Sequence, residues 1–308
     1  MAPLKKKIKN DLIYLLVVTV IALLRTLPRR TAVALMRGLG GAGFRLARRE
    51  REKTIRHLTW AYGDEKSPAE IAALARSVFR HLGAMAADAI RIPGIVRQGI
   101  NTLVHETGAE RLRAALARGK GAIVLTGHFG NWELFGAWVA GNGFPVKVVG
   151  RSAYDPRLDR IIVDLRNSAG YTNIARGKGT REIIRTLRDN EILGLLIDQD
   201  TRVEGVFVDF FGRPAHTATA PVTLAQKLGC ALLPAFIHLR ADGSYVIEFD
   251  EEITLTATND AEQDLIVNTQ KISDAYERAI RRHPEQWVWM HERWKKQPDT
   301  RIEAAEEV

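Results

Sequence analysis

The sequence predicts an α/β protein: a mixed, mostly parallel sheet with flanking helices, preceded by an N-terminal membrane-anchor helix and a helical layer. Three observations carry this. Between residues 101 and 253, short apolar runs rich in β-branched residues alternate with stretches of helical spacing, the pattern of strands joined by crossover helices. Residues 31–100 show helical periodicity. From residue 12 to residue 24 every residue is apolar, Tyr or Thr, with Lys5, Lys6, Lys7 and Lys9 before the run and Arg25, Arg29 and Arg30 after it.

The elements follow in order. The basic-flanked run reads as a membrane anchor over residues 1–30. A secretory signal fits poorly, because Leu27-Pro28-Arg29-Arg30 is a bad exit from an apolar core and the small-x-small string Ala32-Val33-Ala34 lies beyond the arginines. The run is short of the ~20 apolar residues that a span needs, so spanning and lying in the interface are both open at this stage. Ala32, Leu35, Leu39, Phe44 and Leu46 mark a first helix, and residues 48–62 a second. Ser67-Pro68-Ala69-Glu70 supplies an N-cap and an N1 proline for a third, which continues to Ile90. Strands are expected at 122–126, 145–150, 171–175, 192–198, 231–239 and 245–250, and helices at 107–118, 131–141, 155–169, 179–189 and 217–228. Ala241-Asp242-Gly243-Ser244 joins the last two strands as an antiparallel hairpin at one edge. Residues 260–282 form a helix ending before Pro284, and 297–308 a frayed polar tail. No repeat or linker divides the chain. The anchor is therefore followed by one domain, 31–308: a helical layer (31–100), an α/β core (101–253) and a C-terminal helix and tail (254–308).

At 308 residues, 46% hydrophobic and 26% charged, the chain can bury a sizeable core. Its net charge of +9 is front-loaded, which favours an anionic partner: anionic lipid, an acidic protein or nucleic acid. No zinc spacing, RNA-recognition string or basic-leucine pattern is present, so nucleic acid is not expected. Cys230 is the single cysteine, which rules out an intramolecular disulfide and agrees with a reducing cytoplasmic compartment. Its helix-to-strand position reads as core.

Residues 121–133, Gly-Ala-Ile-Val-Leu-Thr-Gly-His-Phe-Gly-Asn-Trp-Glu, are the most informative stretch. A buried strand ends, and Asn131 caps a helix that begins with Trp132. His128 thus sits in a strand-to-helix turn and Glu133 in the first helical turn. The bend lets the two approach, and a histidine held by a carboxylate can take a proton from a hydroxyl. In a mostly parallel sheet, active groups gather beyond the carboxyl ends of strands. His128, Arg151 and Asp198 each follow or end a strand, which points to one site. Asp198 and Asp200 are a pair of carboxylates of the kind hard cations favour. No further ligand cluster accompanies them, so neither a metal nor a cofactor is expected.

The string HFGNWE resembles the signature of the lipid A late acyltransferases, part of a wider glycerolipid acyltransferase group with a His-x4-Asp/Glu motif. The resemblance extends beyond one motif. Val149-Gly150-Arg151 and Asp198-Gln199-Asp200 are similar to the family's second and third blocks, and residues 205–212 with Thr217 follow as in the family. Gln286-Trp287-Val288-Trp289-Met290-His291-Glu292-Arg293-Trp294-Lys295 resembles its closing string. Asp209 stands where the family often has proline, and Glu292 is acidic beside the closing arginine.

The resemblance implies a glycerolipid acyltransferase-like fold and acyl transfer from an acyl-carrier-protein thioester to a hydroxyl of a lipid A precursor, at the cytoplasmic face of a bacterial inner membrane. His128 would be the general base, with Glu133 holding its imidazole. Backbone N–H groups around Gly130 and Asn131, together with Arg151, would meet the oxyanion or substrate, and Asp198 and Asp200 would orient donors or bind sugar hydroxyls. Phe207, Phe210 and Phe211 fit an acyl channel or the core; Trp287, Trp289 and Trp294 fit a lid, the core or an interfacial anchor. The shared motif also admits another membrane-lipid acceptor: a phosphatidylinositol mannoside, a lysophospholipid or an aminolipid. A catalytically silent membrane scaffold is the reading from a different class, and intact His128 and Glu133 speak against it.

Overall fold

A computed structural model describes residues 2–177 and 179–298. The chain runs α1 (Ala2–Thr26), α2 (Arg29–Leu46), α3 (Arg48–Tyr62), α4 (Pro68–Ile90), α5 (Ile92–Gln98), β1 (Val104–Thr107), α6 (Ala109–Ala117), β2 (Ala122–Thr126), α7 (Trp132–Gly141), β3 (Val146–Gly150), α8 (Pro156–Ser168), β4 (Thr172–Ala175), α9 (Thr180–Arg188), β5 (Ile192–Leu196), β6 (Gly205–Asp209), β7 (Pro214–Ala218), α10 (Ala220–Leu228), β8 (Ala231–Leu239), β9 (Tyr245–Phe249) and α11 (Ala261–Arg282). The expected tail beyond residue 298 lies outside the described residues.

The main sheet has seven strands in the order β1-β9-β8-β2-β5-β3-β4, all parallel to their neighbours except the β8/β9 pair. The alternation of strands and helices therefore builds the α/β class that it predicts. One detail differs. The β8/β9 hairpin is not at the edge, because β1 pairs outside β9. Val104-His105-Glu106-Thr107 is too short and polar to signal a strand, and only its first residue is buried. A separate hairpin, β6/β7, was likewise not foreseen.

Strand alternation splits the core in two. Ile123 and Leu125 of β2 face one cluster, with Val78 of α4, Val222 of α10 and Ile272 of α11. Ala122 and Val124 face the other, with Ile92 of α5, Leu112 of α6 and Leu134 of α7. Covered on both faces, β2 and β8 read as unbroken apolar runs. The capping reading of the third helix holds: Ser67 and Glu70 form a reciprocal capping box ahead of Pro68. Phe210, Phe211, Trp287, Trp289 and Trp294 are all buried in the first cluster, so these aromatics belong to the core and not to a membrane belt. Cys230 is buried too, which pushes its thiol up to about 11.

The anchor expected over residues 1–30 needs correction. Residues 2–26 are helical, but no helix among the described residues is long and apolar enough to cross a membrane. The 13 apolar positions cover only about 20 Å at 1.5 Å per residue, against ~30 Å of hydrocarbon. Asn10, Tyr14, Val17, Ile21 and Leu24 turn toward the body of the protein, while Ile8, Leu12, Leu15, Leu16 and Leu23 form an exposed apolar stripe. Arg91 donates to the carbonyls of Leu24 and Leu27, and Arg157 at the start of α8 reaches Asp11 at 2.7 Å.

Candidate active site

Strands β2, β5 and β3 are neighbours, and their carboxyl ends deliver His128, Asp198 and Arg151 to one edge. In the β2/β5 register Thr126 faces Leu196, so His128 and Asp198, each two residues further on, come together. The turn between β2 and α7 is held from outside. Gly130 donates to the Gln286 carbonyl at 2.9 Å, and Val288 donates to the His128 carbonyl at 3.1 Å. Gly130 has φ +56°, and a Cβ there would lie 1.7 Å from the Ile237 carbonyl oxygen, so only glycine fits.

Asp198 holds His128. Its fully buried carboxylate accepts the imidazole Nδ1–H at 2.9 Å, the His128 backbone N–H at 2.7 Å and the Trp287 indole N–H at 2.8 Å. A carboxylate only accepts, so Nδ1 carries a proton toward Asp198, which leaves Nε2 as the ring nitrogen that Asp198 does not engage. Burial works against the charge of Asp198, but the adjacent His128 and the hydrogen bonds from His128 and Trp287 hold its carboxyl well below the usual range.

Glu133, expected to hold the ring, does not contact it. Its carboxylate takes a bidentate pair from Arg166, at 2.9 and 2.6 Å, and the Tyr171 hydroxyl at 2.6 Å. The first turn of α7 directs Glu133 toward α8 and β4, whereas His128 points toward the end of β5. Burial would raise the Glu133 carboxyl; Arg166, Tyr171 and Trp132 outweigh it and hold the group below its ordinary range. Burial and the facing Glu133 in turn raise Tyr171, so its hydroxyl stays protonated and donates.

Three further expectations change. The N–H of Gly130 is spent on Gln286, so it cannot meet an oxyanion. Asn131 is fully buried; its side chain caps α7 through the Leu134 N–H and donates to the Met85 carbonyl. Asp200 is turned away, accepting the Lys296 backbone N–H at 2.7 Å and lying 3.5 Å from His216. Arg151 is exposed and lines the mouth of the site.

Behind His128 opens a cavity of about 580 Å³. Val124 and Thr126 of β2, Ile192 and Gly194 of β5, and Val146 and Val148 of β3 line it from one face of the sheet, and Leu193, Leu195 and Leu224 line it from the other. Phe135, Gly136 and Val139 of α7 and Ile162, Val163 and Arg166 of α8 cover it, while Arg151 and Arg176 stand among the residues that line it. The sequence reading missed Arg166, Tyr171, Gln199 and His291. Gln199 also lines the cavity, and its amide nitrogen lies 3.0 and 3.1 Å from the ring nitrogens of His128 and 2.7 and 3.1 Å from those of His291. The last two residues stood inside recognisable blocks; nothing in the spacing marked the first two. Among the described residues, no group of three or more His, Cys, Asp or Glu is placed to hold a metal ion.

An imidazole at the mouth of a largely apolar cavity is the kind of group that can take a proton from a hydroxyl beside a long hydrocarbon. The sequence model of a family described as bacterial lipid A biosynthesis acyltransferase matches residues 4–296. The chain is 28% identical over 279 residues to the phosphatidylinositol mannoside acyltransferase of Mycolicibacterium smegmatis, covering 88% of each protein. It is 28% identical over 196 residues to the lipid A biosynthesis lauroyltransferase of Escherichia coli, covering 62% of each. Among solved structures, the 1-acyl-sn-glycerophosphate acyltransferase PlsC of Thermotoga maritima aligns with 84% of this chain and 99% of its own, at 13% identity and a TM-score of 0.40.

Proposed function

This chain belongs to the bacterial lipid A biosynthesis acyltransferase family and is an acyltransferase; from that premise we propose that it moves a fatty acyl chain from an acyl-carrier-protein thioester to a sugar hydroxyl of an anionic glycolipid. The observation that carries this is His128, fixed by Asp198 through Nδ1 at the mouth of the apolar cavity, with Nε2 the ring nitrogen that Asp198 leaves for the acceptor's proton. The acyl chain lies along the floor made by Val124, Gly194 and Val148. The acceptor hydroxyl gives its proton to His128 Nε2 as its oxygen bonds to the thioester carbonyl carbon. The tetrahedral intermediate then expels the thiolate, which takes the proton back from His128, leaving ester and thiol. Asp198 stabilises the imidazolium in between. Glu133 keeps the α7–α8 wall in place through Arg166 and Tyr171, and Arg151 meets phosphate at the mouth.

A lipid A precursor is the acceptor that the family name supports. A phosphatidylinositol mannoside is the second reading, and the 88% mutual coverage with the mycolicibacterial relative favours it. The exposed stripe of α1, flanked by Lys6, Lys7, Lys9 and Arg25, suits the surface of an anionic bilayer, at the cytoplasmic face of the inner membrane. The test is to incubate the purified protein with a series of acyl-carrier-protein thioesters and either a Kdo-bearing lipid A precursor or a phosphatidylinositol mannoside, and to read products by mass spectrometry. Acylation of one acceptor selects between them; transfer to neither, from any donor, overturns the reading.

A further inference from the structure

One expected oxyanion donor of the turn after β2, the Gly130 N–H, is taken by the Gln286 carbonyl. Arg166 is bound to Glu133 through Nε and Nη2 and to Asn173 through Nη1. Neither of these two groups is available to the developing charge on the thioester oxygen. A side-chain amide is already there. Gln199 follows Asp198 directly at the end of β5, lines the cavity, and places its amide nitrogen 3.0 and 3.1 Å from the ring nitrogens of His128. The same nitrogen is wedged against His291, whose ring stands near-perpendicular to that of His128 at 4.9 Å between centroids.

We infer that the Gln199 carboxamide N–H is the oxyanion donor of this site, and that His291 is the positioning residue that keeps that N–H turned toward His128. The inference rests on the acyl-transfer reading above. An amide can present either its oxygen or its nitrogen, and only the nitrogen donates. His291 decides between them. Burial pushes its pKa down to about 4, so at neutral pH it is an uncharged ring able to accept. With both ring nitrogens at 2.7 and 3.1 Å, the amide nitrogen packs against the face of this ring, which attracts an N–H and repels an amide oxygen and so keeps the nitrogen end of Gln199 in the site. When the acceptor oxygen attacks, the carbonyl π pair moves onto oxygen beside this N–H. When the intermediate collapses, the carbonyl re-forms, the C–S bond breaks and the donor is left as it was. A donor held in place beforehand costs no reorganisation at that moment.

The test uses the full chain and acyl-carrier-protein thioester, with two readouts: transfer to the lipid acceptor, and hydrolysis of the thioester when no acceptor is present. Both pass through an oxyanion. Gln199→Ala is expected to lower kcat for both by roughly 10²-fold, the loss typical of removing one oxyanion donor, with KM for donor and acceptor within a few-fold of wild type. His291→Ala removes the ring and is expected to lower both rates by roughly tenfold, with His291→Phe, which keeps a ring face for the N–H, recovering most of the loss. Thermal melting confirms that each variant is folded; where Gln199→Ala does not fold, Gln199→Met supplies the same volume without a donor. Unchanged or faster turnover in a folded Gln199 variant overturns the inference, since the side chain would then only plug the base. A rise confined to the acceptor KM, with hydrolysis unchanged, overturns it as well. Absence of transfer and hydrolysis in the wild type strikes the functional reading instead.

Discussion

Asparagine at position 198 would keep the shape of Asp198 and turn one oxygen into NH2. Oδ2 accepts two donors, the His128 backbone N–H at 2.7 Å and the Trp287 indole N–H at 2.8 Å. Oδ1 accepts one, the imidazole Nδ1–H at 2.9 Å. The amide oxygen takes the two-donor position, and the NH2 then faces Nδ1. Two donors repel, so the ring must move its proton to Nε2 and present Nδ1 as the acceptor. The nitrogen facing the cavity can no longer accept a proton. Asp198→Asn should lower kcat by roughly 10²–10⁴-fold, the contribution of a general base held in its working tautomer. That is about 3–5 kcal/mol of barrier. KM should change little, because no substrate contact is lost. Folding stability should fall by on the order of 1–3 kcal/mol, since a charged hydrogen bond in a fully buried place becomes a neutral one. Single-turnover rates with a thioester donor, alongside thermal melts, measure both quantities. Turnover within threefold of wild type in a folded Asp198→Asn protein would falsify the pairing of His128 with Asp198 as the working couple.

Other consequences can be measured on the same protein. Arg166→Met leaves the buried Glu133 carboxylate without its bidentate partner and should destabilise the fold by about 3–5 kcal/mol; adding Glu133→Gln should restore a large part of the melting temperature, and a double variant no more stable than Arg166→Met contradicts the account. Gly194 lies opposite Val148 on the cavity floor, where a Cβ would come within 3.1 Å of the valine methyl. Gly194→Val should therefore shift donor preference toward shorter acyl chains, by about fourfold in kcat/KM per excluded methylene at ~0.8 kcal/mol each; an unchanged chain-length profile places the acyl group elsewhere. Burial pushes His81 and His291 down to about 4 in the folded state, whereas an unfolded histidine takes its proton near 6.5. The unfolded chain thus binds more protons between those values, so stability is full above about pH 6.5 and declines as pH falls toward 4. Urea melts at pH 7, 5.5 and 4.5 read this directly, and a flat midpoint refutes it.

The carboxyl-end argument made from strand positions correctly gathers His128, Arg151 and Asp198, because β2, β3 and β5 are apolar enough to announce themselves. The choice of carboxylate for His128 fails for a definable reason. Glu133 is near in sequence, but direction counts for more than proximity: the first turn of a helix points its side chain away from the strand that precedes it, here onto Arg166 and Tyr171. Asp198 is 70 residues away from His128, and it becomes the partner only because β2 and β5 are adjacent and in register. Strand order was the missing information, and no local pattern encodes it. The same limit hid Arg166. It lies on an ordinary charged helix, and its role depends on which helix packs beside α7. For residues 12–24 the apolar pattern and the helix agree; the helix is not long and apolar enough to cross a membrane, and Tyr14, Val17, Ile21 and Leu24 turn inward while Leu12, Leu15, Leu16 and Leu23 stay exposed.

The closing string explains why a site with so few chemical groups carries so long a motif. Gln286 pairs with both backbone groups of Leu239 and takes the Gly130 N–H on its carbonyl. Trp287 donates to Asp198, and Val288 donates to the His128 carbonyl. The Trp289 carbonyl meets His57 of α3 at 2.8 Å. His291 meets Gln199, buried Arg293 donates to the His216 carbonyl and the Thr217 hydroxyl, and the Lys296 backbone donates to Asp200. Gln286, Trp287, Trp289, His291, Arg293 and Trp294 of the string each act through a side-chain hydrogen bond, ring contact or both, and together with its backbone bonds they brace the turn after β2, the end of β5 and the β6/β7 hairpin. Asp200, expected at the substrate, belongs to this brace. The chemistry requires a few atoms to be held within tenths of an ångström. A segment distant in sequence supplies that rigidity, so it looks conspicuous in the sequence although it is mostly support.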